Sequence, residues 1–452
     1  MDLDADLNPD PDADLNPDLD AAPDAKARFL LTPCGQDPHA EARALRAQGP
    51  VVPVELPGGV RAWLVTHQEA GRAVLADDRF VKDIRAWHAW QRGDIPADWP
   101  MAPLVTVANM TTATGTDHRR LRAPLAKAFT VRRVERLRPR IEHFTRDLLD
   151  DLEATVAAQP DGGPVDLRAR FAHPLPIRVI CELFGVPESG RPRLRDLCGA
   201  LFGGAPAGPA EVLAGHRELR SVLAALLADK SAHPGDDLTS ALLAAAGNGT
   251  EPYADPHENP REGPPDTRAL SGPELVDTLL LMIFAGHETT VNLLVSAVHA
   301  LLTHPGQLAL ARTGKVPWPA VVEEALRWDP PVGSLPFRYA RCDAEVAGRT
   351  IRAGEPVILS YTAFGRDPRQ HGPGADRFDI TRTPVPHLSF GHGIHHCLGA
   401  PLARLEAGIA LPALFARFPH LALYEPGIPP KRRPTIVFPG YRDLPVLLEP
   451  AP

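Results

Sequence analysis

The run Phe390-Gly391-His392-Gly393-Ile394-His395-His396-Cys397-Leu398-Gly399 places one cysteine among three histidines and three glycines, at 391, 393 and 399. Glycine has no Cβ and tolerates positive φ, so these positions let backbone pass close to a flat ligand. An apolar helical pattern, Leu398 to Phe418, follows directly. A thiolate at Cys397 would then stand at a helix N-terminus, where the dipole and unpaired N–H groups lower its pKa and orient it. Such a sulfur suits the axial position of an iron, to which it donates electron density. Two plainer readings compete. A lone cysteine is often only a small buried hydrophobe. His392, His395, His396 and Cys397 could instead form a zinc or non-haem iron cluster, but structural zinc favours spaced pairs such as Cys-x2-Cys with His-x3-His, which this run lacks.

A second segment interrupts an apolar, helix-length stretch over 275–305 with Ala285-Gly286-His287-Glu288-Thr289-Thr290. Polar groups in the middle of a buried helix are costly unless they pair or work. Ala285 and Gly286 are small enough to leave room for a diatomic ligand. Thr289 lies four residues after Ala285, so its hydroxyl can bond that carbonyl and open the helix locally. Glu288 beside it is a proton source, and the two make a relay for oxygen chemistry, which consumes protons. His287 reads as structural, paired with a neighbouring helix.

Two further spacings are suggestive. Glu324 and Arg327 stand at i, i+3 in a helix starting near Trp318, so they share a face and can pair. His118 and Arg122 stand at i, i+4, again on one face. Surface ion pairs at such spacings often contribute little.

The ten residues 390–399 resemble the haem-binding loop of the cytochrome P450 family, Phe-Gly-x-Gly-x-His-x-Cys-x-Gly, at every defining position. Residues 285–289 resemble its distal motif, Ala/Gly-Gly-x-Asp/Glu-Thr, and the order of motifs over 25–452 agrees. The resemblance implies a haem-thiolate monooxygenase: haem b ligated by Cys397, in contact with Phe390, Gly391, Gly399, Ala285 and Gly286, with Glu288 and Thr289 serving oxygen activation. It implies that Glu324 and Arg327 join Arg377 in a fold-locking network, and that His118, Arg122, Arg338 and His395 anchor the haem propionates. Residues 87–93 and 95–100, each rich in tryptophan, resemble an actinobacterial subgroup, family 154, whose substrates include steroids and macrolide-like polyketides. Contacts to an apolar, fairly large substrate are then expected from the 82–110 loop, Leu281, Ala285, Val332 and Leu335. The family's soluble bacterial members take electrons from a ferredoxin and a ferredoxin reductase. A basic face around Cys397 and the 118–134 helix (Arg119, Arg120, Lys127, Arg132, Arg133) would dock an acidic ferredoxin. The alternative is a non-catalytic haem-binding protein, which would have no need of Glu288 and Thr289.

The elements that must position these residues are mainly helical. Val51–Glu55 and Val60–Thr66 flank Pro57-Gly58-Gly59 and predict a β-hairpin. Helical periods dominate from about 68 to 335. A Gly/Pro-rich break at 247–273 predicts a long loop, and strand signals return at 346 and 351–360. Pro412 predicts a kink or stop near Leu411. The fold class expected is mainly α with small β-sheets, the triangular helical prism of the family, as one catalytic domain over 25–452. Residues 1–24 repeat Asp-Ala-Asp-Leu-Asn-Pro-Asp and hold nine aspartates without a Lys, Arg or Glu, which predicts a disordered acidic tail. The chain's formal charge of −8 is therefore the tail's, leaving a body near neutrality with no case for nucleic-acid binding. Five cysteines at wide spacings favour a reducing compartment. With no leader or membrane-length apolar run seen, a cytoplasmic monomer is expected.

Overall fold

A computed structural model describes residues 29–31, 37–96, 98–159, 162–202, 209–246, 269–383 and 386–449. The acidic repeat, Cys34 and most of the 247–273 loop lie outside these. The hairpin forms as Val51–Leu56 and Val60–Val65, antiparallel, with Gly58 and Gly59 at φ 85° and 77° in the connection. Its alternating apolar residues bury one face against the rest of a six-stranded sheet. In that sheet Pro356–Ser360 pairs with Val60–Val65 and with Ser334–Ala340, and the short strand Phe80–Val81 forms the edge.

The remainder is helical. Gly272–Thr303, here termed the long helix, begins three residues earlier than the apolar period. Ser271 and Glu274 form a reciprocal capping box with Pro273 in the first turn, a start signal written in the sequence. This helix is apolar and long enough to cross a membrane, but 61% of its most apolar window is buried inside the protein, so it is a core helix. Val291, Leu293, Leu294, Ala297, Val298, Ala300 and Leu301 are almost completely buried and pack on helices Pro174–Phe184, Trp318–Trp328 and Ala400–Arg417.

Ala400–Arg417, the proximal helix, passes through Pro412 without stopping, contrary to the expectation from sequence. An internal proline costs about 3 kcal/mol, but Leu411, Leu414 and Phe415 on the turn around it are buried, and their packing outweighs the lost backbone bond. The expected 118–134 helix is instead two, Gly115–Ala128 and Val131–Arg136, because Thr130 caps the second by accepting from the Arg133 N–H.

Candidate active site

Cys397 stands at the end of a glycine-shaped loop, just ahead of the proximal helix. Its N–H donates to the Phe390 carbonyl at 2.9 Å, and the Gly391 N–H donates to Leu388 at 2.7 Å. Gly391 and Gly393 adopt φ 72° and 71°, as the sequence predicts. At Gly393 a Cβ would also press on the Leu75 carbonyl. Gly399 differs: its φ is −77°, so it needs no left-handed backbone. Phe390 packs under the Arg404 guanidinium at 4.5 Å.

The sulfur is accessible although protein surrounds it closely. Those surroundings lift the Cys397 thiol above its usual range. The Gly399 and Ala400 N–H groups, with Arg122 and Arg404, pull the other way but do not prevail. The helix-terminus effect expected from sequence is therefore present and outweighed. A metal ion bound at the sulfur would reverse this balance, since coordination removes the thiol proton outright.

On the long helix, Ala285 is exposed and Leu281 half-buried one turn before it. The Thr289 hydroxyl donates to the Ala285 carbonyl at 2.5 Å, and the helix stays continuous. A Cβ at Gly286 would meet Ile180 only at ordinary contact distance, 3.6 Å. His287 takes the structural place predicted, with Nε2 at 2.9 Å from the His173 carbonyl.

Glu288 is held by two arginines that the sequence reading missed. Arg168, on a single π-turn, reaches its oxygens at 3.0 and 3.2 Å, and Arg433 reaches Oε1 at 2.6 Å. Neighbours on a helix do not face each other, and Glu288 and Thr289 accordingly have different partners. A relay through both requires the carboxylate to leave its clamp.

Behind the loop, Glu324 and Arg327 are buried and paired at 2.7 Å through two hydrogen bonds. Arg327 also donates to the carbonyls of Gly365, Ala375 and Arg377. The second guanidinium of this network is not that of Arg377, whose side chain is exposed and which contributes only its carbonyl. Arg382 fills that place, 3.7 Å from Glu324 and tied to the His371 and Gly374 carbonyls. A Cβ at Gly365 would overlap the Arg327 carbonyl oxygen. Gly365→Ala is therefore expected to cost at least about 1–3 kcal/mol, read as a lowered midpoint in chemical unfolding.

The residues expected to hold propionates converge. The His118 and His395 rings lie 4.2 Å apart. Arg122 donates to the His396 carbonyl at 2.6 Å. Arg338 donates from Nη1 to the Phe80 carbonyl at 3.0 Å, while its Nε and Nη2 and the Nε2 of His118 are buried without a partner. Burial, with nearby cations, lowers His118 to about 4 and His395 to about 2. Buried donors left unpaired beside like charges are costly, and an anionic group of two carboxylates relieves that cost. A dianionic porphyrin with its iron at Cys397 fits these residues on both counts.

Other expected contacts are only partly met. Trp87 and Trp99 of the 82–110 loop do not face outward: both are buried, Trp87 stacked with Phe337 and Tyr339 and Trp99 edge-on to Trp87. Leu104 and Val107 of the same loop are exposed. Val332 is half-buried, and Leu335 lies on the strand Ser334–Ala340 opposite Leu359. On the basic face, Arg120 is ion-paired with Glu274 and Arg133 with Asp236, and Arg119, Lys127 and Arg132 are exposed.

Comparison with known proteins agrees with this arrangement. The family profile described as "Cytochrome P450" matches residues 318–442. The 2-hydroxy-5-methyl-1-naphthoate 7-hydroxylase of Streptomyces carzinostaticus is 40% identical, over 93% of this chain and 97% of that protein. The vitamin D(3) 25-hydroxylase of Pseudonocardia autotrophica is also 40% identical, over 86% and 88%. Among solved structures, CYP154C4 from Streptomyces sp. W2061 superposes with a TM-score of 0.83 at 45% identity, over 94% of this chain and 99% of that one. The structure described as "Testerone bound CYP154C4 from Streptomyces sp. ATCC 11861" gives 0.82 at 46%, over 94% and 99%.

Proposed function

The chain belongs to the cytochrome P450 family, as a haem b monooxygenase of the bacterial family-154 type, and from that premise we propose that it hydroxylates an apolar steroid-like or polyketide/macrolide-like small molecule. The observation that carries the substrate class is the apolar pair of exposed Ala285 and half-buried Leu281, spaced one turn apart on the long helix, with the Thr289 hydroxyl on the Ala285 carbonyl. The names of the relatives point the same way, spanning a naphthoate, vitamin D(3) and a testerone-bound enzyme. When bound, the haem supplies activation of O2 and transfer of one of its atoms to a C–H bond.

The chain's own residues bind, orient and handle protons. Cys397 would hold the iron through its sulfur. His118, Arg122, Arg338 and His395 hold the propionates through charge-assisted hydrogen bonds. Phe390, Gly391, Gly399, Ala285 and Gly286 line the porphyrin site, with small residues where space is needed. Thr289 presents a hydroxyl on the oxygen side, anchored at the Ala285 carbonyl. Glu288 would carry a proton to Thr289 only after leaving Arg168 and Arg433, which hold it as the carboxylate. Leu281, Val332 and Leu335 contact the substrate. We further propose a ferredoxin and ferredoxin reductase as electron donors, docking by Arg119, Lys127 and Arg132 near the proximal helix. The catalytic unit is one domain over 25–452, acting as a cytoplasmic monomer.

A panel of steroids, macrolides and aromatic polyketides tests the substrate class. A binder is expected to displace the iron-bound water and shift the Soret band to the blue, and that binder is then expected to be oxidised when ferredoxin, its reductase and NAD(P)H are supplied. A panel without any shift would remove the substrate class. Thr289→Ala is expected to lower product formed per electron pair by about tenfold or more, since a positioned proton donor contributes that much. Product and NAD(P)H consumption measured together check it, and unchanged coupling would contradict the proton role of Thr289.

A further inference from the structure

One cation at the propionate site belongs to no motif. Lys82 directly follows the strand Phe80–Val81, whose register pairs Phe80 with Ala340 and Val81 with Tyr339. One further step along this antiparallel register sets Lys82 opposite Arg338, and Arg338 itself is fastened to the Phe80 carbonyl. The Lys82 N–H donates to the Thr114 hydroxyl at 3.1 Å. Thr114 precedes the Gly115–Ala128 helix that carries His118 and Arg122. The strand end and the helix start therefore deliver their cations to one place.

Like charges opposite each other on paired strands are destabilising, and the carboxylates nearest in sequence are taken by other groups. Asp83, next in sequence, is bound by Arg85. Asp117, at the start of the neighbouring helix, lies 3.7 Å from Arg120. Among the described residues no carboxylate is ion-paired with Lys82 or Arg338, and the Arg338 Nε and Nη2 are buried without a partner. Burial, then Arg338, pulls the half-buried Lys82 ammonium down to about 7. The register thus adds Lys82 to His118, Arg122 and His395 beside the orphaned Arg338 N–H groups, a set of bases and cations that calls for an anion.

We propose that Lys82 is a haem-binding residue, its ammonium sharing a propionate carboxylate with Arg338. The proposal rests on the porphyrin reading of the Cys397 site. It explains why a lysine and an arginine are kept opposite each other on an edge strand, where a neutral residue would cost less in the protein alone.

The test is the rate at which the holoprotein gives up its porphyrin to excess apomyoglobin. Lys82→Gln is expected to lose haem about tenfold faster than the unaltered protein, the effect of one charge-assisted hydrogen bond, and Lys82→Arg is expected to restore retention. With iron protoporphyrin IX dimethyl ester, which has no carboxylates, the unaltered and Lys82→Gln proteins are expected to release porphyrin at equal rates. Retention unchanged in Lys82→Gln overturns the proposal. So does a difference that persists with the ester, because the lysine would then act through the fold or on some other anion. Failure of the unaltered protein to take up haem would instead overturn the underlying porphyrin reading.

Discussion

Glu324→Ala is expected to destabilise the protein by about 3–5 kcal/mol and to abolish recovery of haem-loaded protein. Removing the carboxylate strips Arg327, 2% exposed, of the partner that takes two of its hydrogen bonds. It also orphans the Asp379 N–H, which donates to Glu324 at 2.8 Å, and removes the anion nearest Arg382. The remaining charge is buried and cannot reach water. Arg327 ties Gly365, Ala375 and Arg377 to the Trp318–Trp328 helix, so the damage spreads to the chain leading into the Cys397 loop. A neighbouring pair supplies the control. Glu323 and Arg404 are paired at 2.6 Å but both are more than 40% exposed, and Glu323→Ala should cost no more than about 1 kcal/mol. Chemical unfolding of both variants checks the contrast, and equal stabilities would show that the buried pair does not lock the fold.

What the sequence made legible was contiguous. The Cys397 loop, the Ala285–Thr290 segment and the hairpin around Gly58-Gly59 each carry their physics within a few residues, so spacing alone displays it. Partners supplied from afar were not legible. Arg168 and Arg433, which clamp Glu288, are 120 and 145 residues from it, and nothing local marks either. The guanidinium beside Glu324 proved to be Arg382 rather than Arg377 because the chain turns between them, leaving Arg377 exposed. Pro412 was misjudged for a related reason: local propensity opposes the helix there, and packing from distant elements decides. Trp87 and Trp99, prominent in sequence, are aromatic core of the sheet. Lys82 belongs to no motif, and only the register opposite Arg338 singles it out.

Cys397→Ser carries the largest functional effect expected. A serine hydroxyl is far less acidic than a thiol and a weak donor to iron, so the electron donation that favours O–O cleavage is lost. The loop itself should persist, since Gly391, Gly393 and the Phe390 carbonyl hold its shape without the sulfur. The most direct measurement is the spectrum of the dithionite-reduced carbon monoxide complex, taken for the unaltered and Cys397→Ser proteins at equal haem content. The unaltered protein should show the strongly red-shifted Soret band of a thiolate-ligated haem, and the serine variant should lose both that band and the oxidation of carbon substrates. A serine variant that keeps the red-shifted band and still oxidises carbon would contradict the assignment of Cys397 as the axial ligand.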